Sequence, residues 1–314
     1  MHENSQFAIQ KILNNIDSVI IGKRNVAELC VMALLADGHV LLEDVPGVGK
    51  TMMIRALAKS IDAKFKRIQF TSDLLPSDVT GSSIFHPKTG EFYFRQGPIM
   101  ANIVLADEIN RASPKTQSAL LEGMGEKSVT VDGTTYELNS PFLVFATQNP
   151  IDYEGTSPLP EAQLDRFLFK INLEYPTFTD EVEILTKHTD HQPIEDISEV
   201  INTNEILQLQ KDLKNIYIDN NIKQYIVNIV QQTRNNKMIM LGISPRGTIA
   251  LMKASQACAY IRGRDFVTPD DVQYVAKYVC VHRLLMSSEA RFNGQSAGEF
   301  FNDILKITPV PITR

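Results

Sequence analysis

The segment DVPGVGKTMMIRAL, from Asp44 to Leu57, limits most tightly how this chain can fold. It places Gly47, Gly49, Lys50 and Thr51 after an apolar stretch, His39 to Glu43. Behind them come Met52, Met53, Ile54, Ala56, Leu57 and Ile61 at helical spacing. A strand therefore has to run into a glycine loop and then directly into a helix. Gly47 and Gly49 let the backbone bend and bring its N–H groups near an oxyanion. The helix that follows adds unpaired N–H groups and the positive end of its dipole. Lys50 supplies a point charge for β- and γ-phosphates, and Thr51 a hydroxyl for Mg2+. Pro46, Val48 and Met52 complete the expected phosphate-binding segment. The pattern departs from the strict motif at Asp44, where a glycine is usual. The bland alternative is a tight turn with a solvated lysine.

A second apolar run, Ile103-Val104-Leu105-Ala106, ends in Asp107-Glu108. Two adjacent acids at a strand tip suit two roles: Asp107 to hold Mg2+ and Glu108 to orient and polarise a water. A surface turn can carry the same pair, so its weight comes from the glycine loop upstream. A third buried run, Phe142 to Ala146, ends in Thr147-Gln148-Asn149, where Asn149 is placed to bond a γ-phosphate or the water. The other reading of Asn149 is a turn residue before Pro150. Two arginines stand out. Arg166 lies in Leu164-Asp165-Arg166-Phe167. Arg246 follows Ser244-Pro245 at the start of a helix, where its charge opposes the helix dipole. A phosphate held between two domains accounts for Arg246; an ordinary surface or ion-paired arginine is the alternative for both.

The 314 residues allow one large or two modest domains. Strand and helix patterns alternate up to Tyr175-Pro176, and helical patterns alone follow. That predicts an α/β domain over 1–175 and a smaller helical domain over 176–314. Strands are expected near 63–70 and 164–171 as well. Hairpins are expected at 84–94 and, with Asp132-Gly133 as its turn, at 128–138. Helices are expected near 6–19, 23–36, 203–215, 219–233, 246–261 and 269–286, the last opened by Thr268-Pro269-Asp270-Asp271. The region from Asp78 to Gly81 reads as irregular, and the tail from Arg291 is unassigned. Phe92, Tyr93 and Phe94 serve equally well as a client-contacting surface or as core.

A formal net charge of −6 and the absence of a Lys/Arg-rich stripe argue against a nucleic-acid partner. Cys30, Cys258 and Cys280 are far apart and read as buried free thiols, which suits a reducing compartment. No apolar run is long enough to span a bilayer, and the opening residues read as an amphipathic helix rather than a leader. The expected location is cytoplasmic. The six histidines form no compact base or ligand set; His188 and His191 are close in sequence but read as a solvated pair.

Taken in order, these motifs resemble an AAA+ ATPase and, within it, the MoxR family. The matching stretches are LLEDVPGVGKT, QFTSDLLPSDVTG, GPIMANIVLADEINRASPKTQSALLEGM, FATQNPIDYEGTSPLPEAQLDRF and GISPRG. In that family an Asp at position 44 is common. The resemblance runs from about Ile20 to Leu285. It implies a P-loop NTPase core with a parallel sheet and inserted β-hairpins, followed by a small all-helical lid. It implies ATP and Mg2+ as ligands, Lys50 and Thr51 on the nucleotide, and Asp107 and Glu108 as the Walker B pair. Asn149 then corresponds to sensor 1, Arg166 to the finger reaching a neighbour's nucleotide, and Arg246 to sensor 2. The resemblance also implies a homo-oligomeric ring, commonly a hexamer, that remodels or activates partner complexes. The usual partner carries a von Willebrand factor A domain with a metal-ion-dependent adhesion site. Rival readings are a nucleic-acid motor or loader, a metal-chelatase motor subunit, and a P-loop module without turnover. The intact Asp107-Glu108 pair argues against the last.

Overall fold

The structure, a computed structural model, describes residues 2–44, 49–148, 157–187 and 193–311. Helices α1 (His2–Val19) and α2 (Arg24–Leu35) lead into β1 (His39–Asp44). Then come α3 (Lys50–Ser60), β2 (Phe65–Gln69), α4 (Pro76–Thr80), β3 (Gly81–His86), β4 (Glu91–Gln96) and β5 (Ile103–Asp107). The core continues with α5 (Pro114–Glu126), β6 (Ser128–Val131), β7 (Thr134–Glu137), β8 (Leu143–Gln148), α6 (Glu161–Leu164) and β9 (Phe167–Leu173).

Five of these strands form one sheet in the order β2-β5-β8-β1-β9, and every neighbouring pair is parallel. Parallel strands are covered on both faces, which is why β5 and β8 read as unbroken apolar runs rather than alternating ones. Burial shows the two faces directly. Val40 and Leu42 of β1 pack with α1, α2 and α3, whereas Leu41 between them packs with Ile68, Val104, Val144 and Leu120 on the other side. The first of these clusters runs on into the C-terminal helices, so core and lid share packing.

The expected hairpins are β3–β4 and β6–β7. Asp132 and Gly133 both take positive φ, 49° and 80°, as a two-residue Asp-Gly hairpin turn requires. The aromatic triplet divides between its two readings. Phe92 and Tyr93 are 72% and 49% exposed, while Phe94 stacks on Tyr136 of the other hairpin with ring centroids 3.9 Å apart.

After β9 the chain continues with α7 (Phe178–Lys187), α8 (Thr203–Leu213), α9 (Asn220–Arg234), β10 (Ile239–Leu241), α10 (Pro245–Ile261) and α11 (Pro269–Cys280). It closes with β11 (Leu285–Met286), α12 (Ser288–Phe292) and α13 (Ala297–Ile307). Thr268 and Asp271 form the capping box that starts α11, as their spacing suggests. Asp271 is fully buried, and Arg262 and Arg264 pair with it at 3.0 and 2.5 Å. Burial pushes its carboxyl pKa up, but the bonds from Arg264 and Thr268 outweigh that and hold it below the usual range.

Two expectations need correction, and one unassigned segment gains a helix. The helix expected to reach 286 ends at Cys280, because the chain turns into β11 to pair with β10. The unassigned tail contains α13, opened by a Ser296–Glu299 capping box and anchored by the fully buried Phe301. The segment expected to be irregular holds the short helix α4, with Pro76 in its first turn. Cys30, Cys258 and Cys280 are free and buried, and burial raises each thiol pKa to about 12. No described helix is long and apolar enough to cross a membrane. His188 and His191 lie outside the described residues.

Candidate functional site

Parallel pairing brings four strand ends to one edge of the sheet. Gln69 of β2 pairs with Asp107 of β5, Ala106 with Ala146 of β8, and Glu43 of β1 with Gln148. β1 ends at this edge, and α3 follows with Lys50 and Thr51 in its first turn, both half-buried. Gly49 sits at φ 85° as the residue before that helix, and a Cβ there would come 2.8 Å from Ile20 Cδ1. Both the left-handed conformation and the close approach call for glycine. Pro46, Gly47 and Val48, expected to cradle phosphate, and Asn149 lie outside the described residues.

The two carboxylates are organised by a network of neighbours. Thr147, 1% exposed, donates its hydroxyl to Asp107 Oδ1 at 2.6 Å and accepts the backbone N–H of Glu108 at 2.8 Å. Arg67 holds Asp107 Oδ2 through Nη2 at 2.5 Å and Nε at 3.1 Å. Glu108 has φ 55°, a left-handed conformation that costs a side-chain-bearing residue roughly 1 kcal/mol. The bond from its N–H to Thr147 helps hold it there. Its Oε2 accepts from Gln69 Nε2 and Arg111 Nη1, both at 2.9 Å. Gln148 instead bonds Glu43, which also pairs with Lys170 at 2.8 Å. The polar residues ending β8 thus have separate jobs.

Among the described residues no group of three or more His, Cys, Asp or Glu side chains forms a metal cage. The oxygen donors of Thr51 and Asp107 suit Mg2+, which characteristically takes one or two protein ligands and completes its shell from phosphate and water. That donor set fits the ion.

Arg166 and Arg246 lie elsewhere. Arg166 precedes β9, is half-buried, and donates to the Leu121 carbonyl of α5. Arg246 is exposed in the first turn of α10, close enough to Arg283 for their charges to repel. Ser244, which caps α10, bonds Asp165 at 2.8 Å, so this turn lies beside the residue before Arg166. His39, at the start of β1, pairs with Phe167, while Asp44, at its end, pairs with Leu173. About 17 Å of strand therefore separates the two arginines' edge from the edge where β1 ends. The lid packs along β9 and presents α10 to the far end of the sheet.

Sequence reasoning did not single out Arg67, Gln69, Arg111 or Thr147. Only Arg111 left a local signal, three residues after Glu108. The other contacts depend on strand register. Histidines take no part among the described residues. His39 accepts the Val144 N–H at Nδ1, 3.0 Å, and lies 3.3 Å from the Met124 carbonyl through Nε2. Burial lowers its pKa to about 4.

Residues 39–169 match the ATPase family associated with various cellular activities (AAA), and residues 231–304 match the AAA lid domain. An uncharacterised Bacillus subtilis protein, YeaC, is 58% identical over 97% of this chain and 95% of its own. Chaperone MoxR1 of Mycobacterium tuberculosis is 39% identical over 96% of this chain and 82% of its own. A crystal structure of a candidate ATPase from Cytophaga hutchinsonii superposes with a TM-score of 0.91 at 36% identity, covering 99% of this chain and 98% of that one.

Proposed function

The chain belongs to the MoxR family of AAA+ ATPases and hydrolyses ATP, and from that premise we propose a ring motor whose every active site is finished by the next subunit. A core of 1–175 binds the nucleotide, and a lid of 176–314 moves with its state. Lys50 meets the β- and γ-phosphates, and Glu108 orients and polarises the attacking water. Thr51 and Asp107 hold Mg2+, which screens charge on the phosphate oxygens when bound. Asn149 bonds the γ-phosphate or the water.

One observation carries this reading: Lys50, Asp107 and Glu108 sit at one edge of the sheet, and Arg166 and Arg246 at the other. A single subunit brings no guanidinium from that far edge to its own phosphate. A closed ring of like subunits, for which we propose a hexamer, sets the arginine edge of one against the carboxylate edge of the next. An arginine supplied in this way stabilises charge on the transferring phosphoryl group.

The work done is remodelling or activation of a partner protein complex in the cytoplasm, with an adapter bearing a von Willebrand factor A domain. The chaperone name of the Mycobacterium relative and the exposed Phe92 and Tyr93 support it. Mixing Arg166→Ala with Lys50→Ala subunits tests the shared site. Each is expected to be inactive alone, and mixed rings to regain turnover at interfaces pairing a sound Lys50 with a sound Arg166. Mixed rings that stay inactive contradict the proposal. Glu108→Gln, loaded with ATP, is expected to retain the adapter in a pull-down, and no nucleotide-dependent capture contradicts the partner assignment.

A further inference from the structure

Asp165, the residue before Arg166, is gripped by the lid from two sides. Ser244 Oγ donates to its Oδ2 at 2.8 Å, and Arg283 Nε to its Oδ1 at 2.7 Å. Arg283 is buried, with a side chain 3% exposed. It also donates through Nη2 to the carbonyls of Asp165, at 3.2 Å, and Phe167, at 2.6 Å. The backbone on both sides of Arg166 is thus clamped by one lid side chain. Its remaining N–H groups reach the carbonyls of Val279 and Leu168 and the ring of His282.

The second grip leads to the other arginine. Ser244 caps α10 by accepting the Gly247 N–H at 3.1 Å, while its own proton goes to Asp165. Arg246 stands between Ser244 and Gly247. A Cβ on Gly247 would lie 2.9 Å from Arg283 Cδ and 2.5 Å from Ile243 Cγ2, so α10 begins directly against Arg283. One carboxylate joins the base of Arg166 to the base of Arg246, across a sequence gap of 79 residues on the Ser244 side and 118 on the Arg283 side.

We propose that Asp165 is a positioning residue that fixes Arg166 and Arg246 as one two-pronged unit for the neighbouring subunit's triphosphate. Arg283 is buried, so this hydrogen-bonded ion pair holds direction better than an exposed one: without Asp165 its charge is left uncompensated. The joint also makes the unit move as one. When α10 shifts with the lid, Ser244 carries Asp165, and Arg166 follows. This rests on the reading that both arginines act across a subunit boundary.

The test uses full-length rings. Asp165→Asn keeps the size of the side chain but removes the charge that Arg283 faces. Alone, it is expected to lower kcat at least tenfold while the affinity of its own site for a non-hydrolysable ATP analogue changes less than twofold. Mixed with Lys50→Ala subunits, it is expected to regain turnover, because those subunits present a sound arginine pair to its intact Lys50 site. Loss through misfolding of its own site is not repaired by a neighbour. Ser244→Ala, which cuts only the α10 arm and leaves the Arg283 pair, gives the same readout if Asp165→Asn does not fold. Its kcat is expected to fall severalfold at unchanged KM and to recover on mixing.

The mixture of Arg166→Ala with Lys50→Ala separates the two ways of being wrong. If it fails to recover, the shared-site reading falls and this proposal with it. If it recovers while Asp165→Asn and Ser244→Ala do not, or if both variants keep full kcat alone, Asp165 does not position the arginines and the proposal alone is overturned.

Discussion

The two edges of the central sheet are built on opposite principles. At the carboxylate edge, Asp107 and Glu108 are held by Arg67 and Arg111, whose side chains are 49% and 57% exposed. These pairs are screened and replaceable, and Glu108 sits in a left-handed backbone held by Thr147. At the arginine edge, Arg283 is buried and fully engaged, and burial lowers its pKa while Asp165 counters that. The edge that must admit phosphate, metal and water is half-wet and adjustable. The edge that must present a fixed group to a neighbour holds its arginines from beneath by a buried joint.

The sharpest way to break this contrast is Arg166→Ala. Turnover of the assembled protein is expected to fall about 10³-fold, roughly 4 kcal/mol of barrier, with nucleotide affinity unchanged. Turnover within threefold of normal would remove Arg166 from the chemistry. Next in size, Arg283→Ala is expected to destabilise the fold by about 2–4 kcal/mol, because the Val279 and Phe167 carbonyls lose their buried donor and Asp165 its partner. Arg67→Ala and Arg111→Ala, at the other edge, are expected to cost less than about 1 kcal/mol each. Denaturant midpoints for the three variants check this, and equal losses at both edges would erase the distinction.

His39, at the start of β1, sharpens it through pH. Its folded pKa of about 4 lies below the ordinary 6.5, so the unfolded chain takes up the proton first as pH falls. Its contribution is fully present above pH 6.5 and is lost as pH falls towards 4, at most about 3 kcal/mol. His39→Gln is expected to flatten the stability profile over that window. An unchanged slope between pH 6.5 and 4.5 would show that His39 is not held neutral.

Much of the fold was legible because burial leaves a pattern. The unbroken apolar runs of β5 and β8, the Asp-Gly turn and the Thr268–Asp271 capping box all act within a few residues of themselves. The start of α3 at Lys50 and the end of β5 at Asp107 were legible for the same reason. What was hidden depends on register and on distance along the chain. Thr147 meets Asp107 only because Ala106 pairs with Ala146. Arg67 meets Asp107 only because β2 lies at the edge beside β5. Which end of the sheet α10 reaches was not legible at all. A Ser-Pro-Arg helix start has the same sequence whether the lid leans over its own phosphate or backs away along β9. Phe301 and the capping box of α13 were local signals that went unread.

The most direct test of the account is a structure of the assembled Glu108→Gln protein with Mg2+ and ATP. It is expected to show the triphosphate on Lys50 and Thr51 of one subunit, and within hydrogen-bonding reach of Arg166 and Arg246 of the next. Arg246 from the same chain on the γ-phosphate, or a complete site in an isolated subunit, would contradict it.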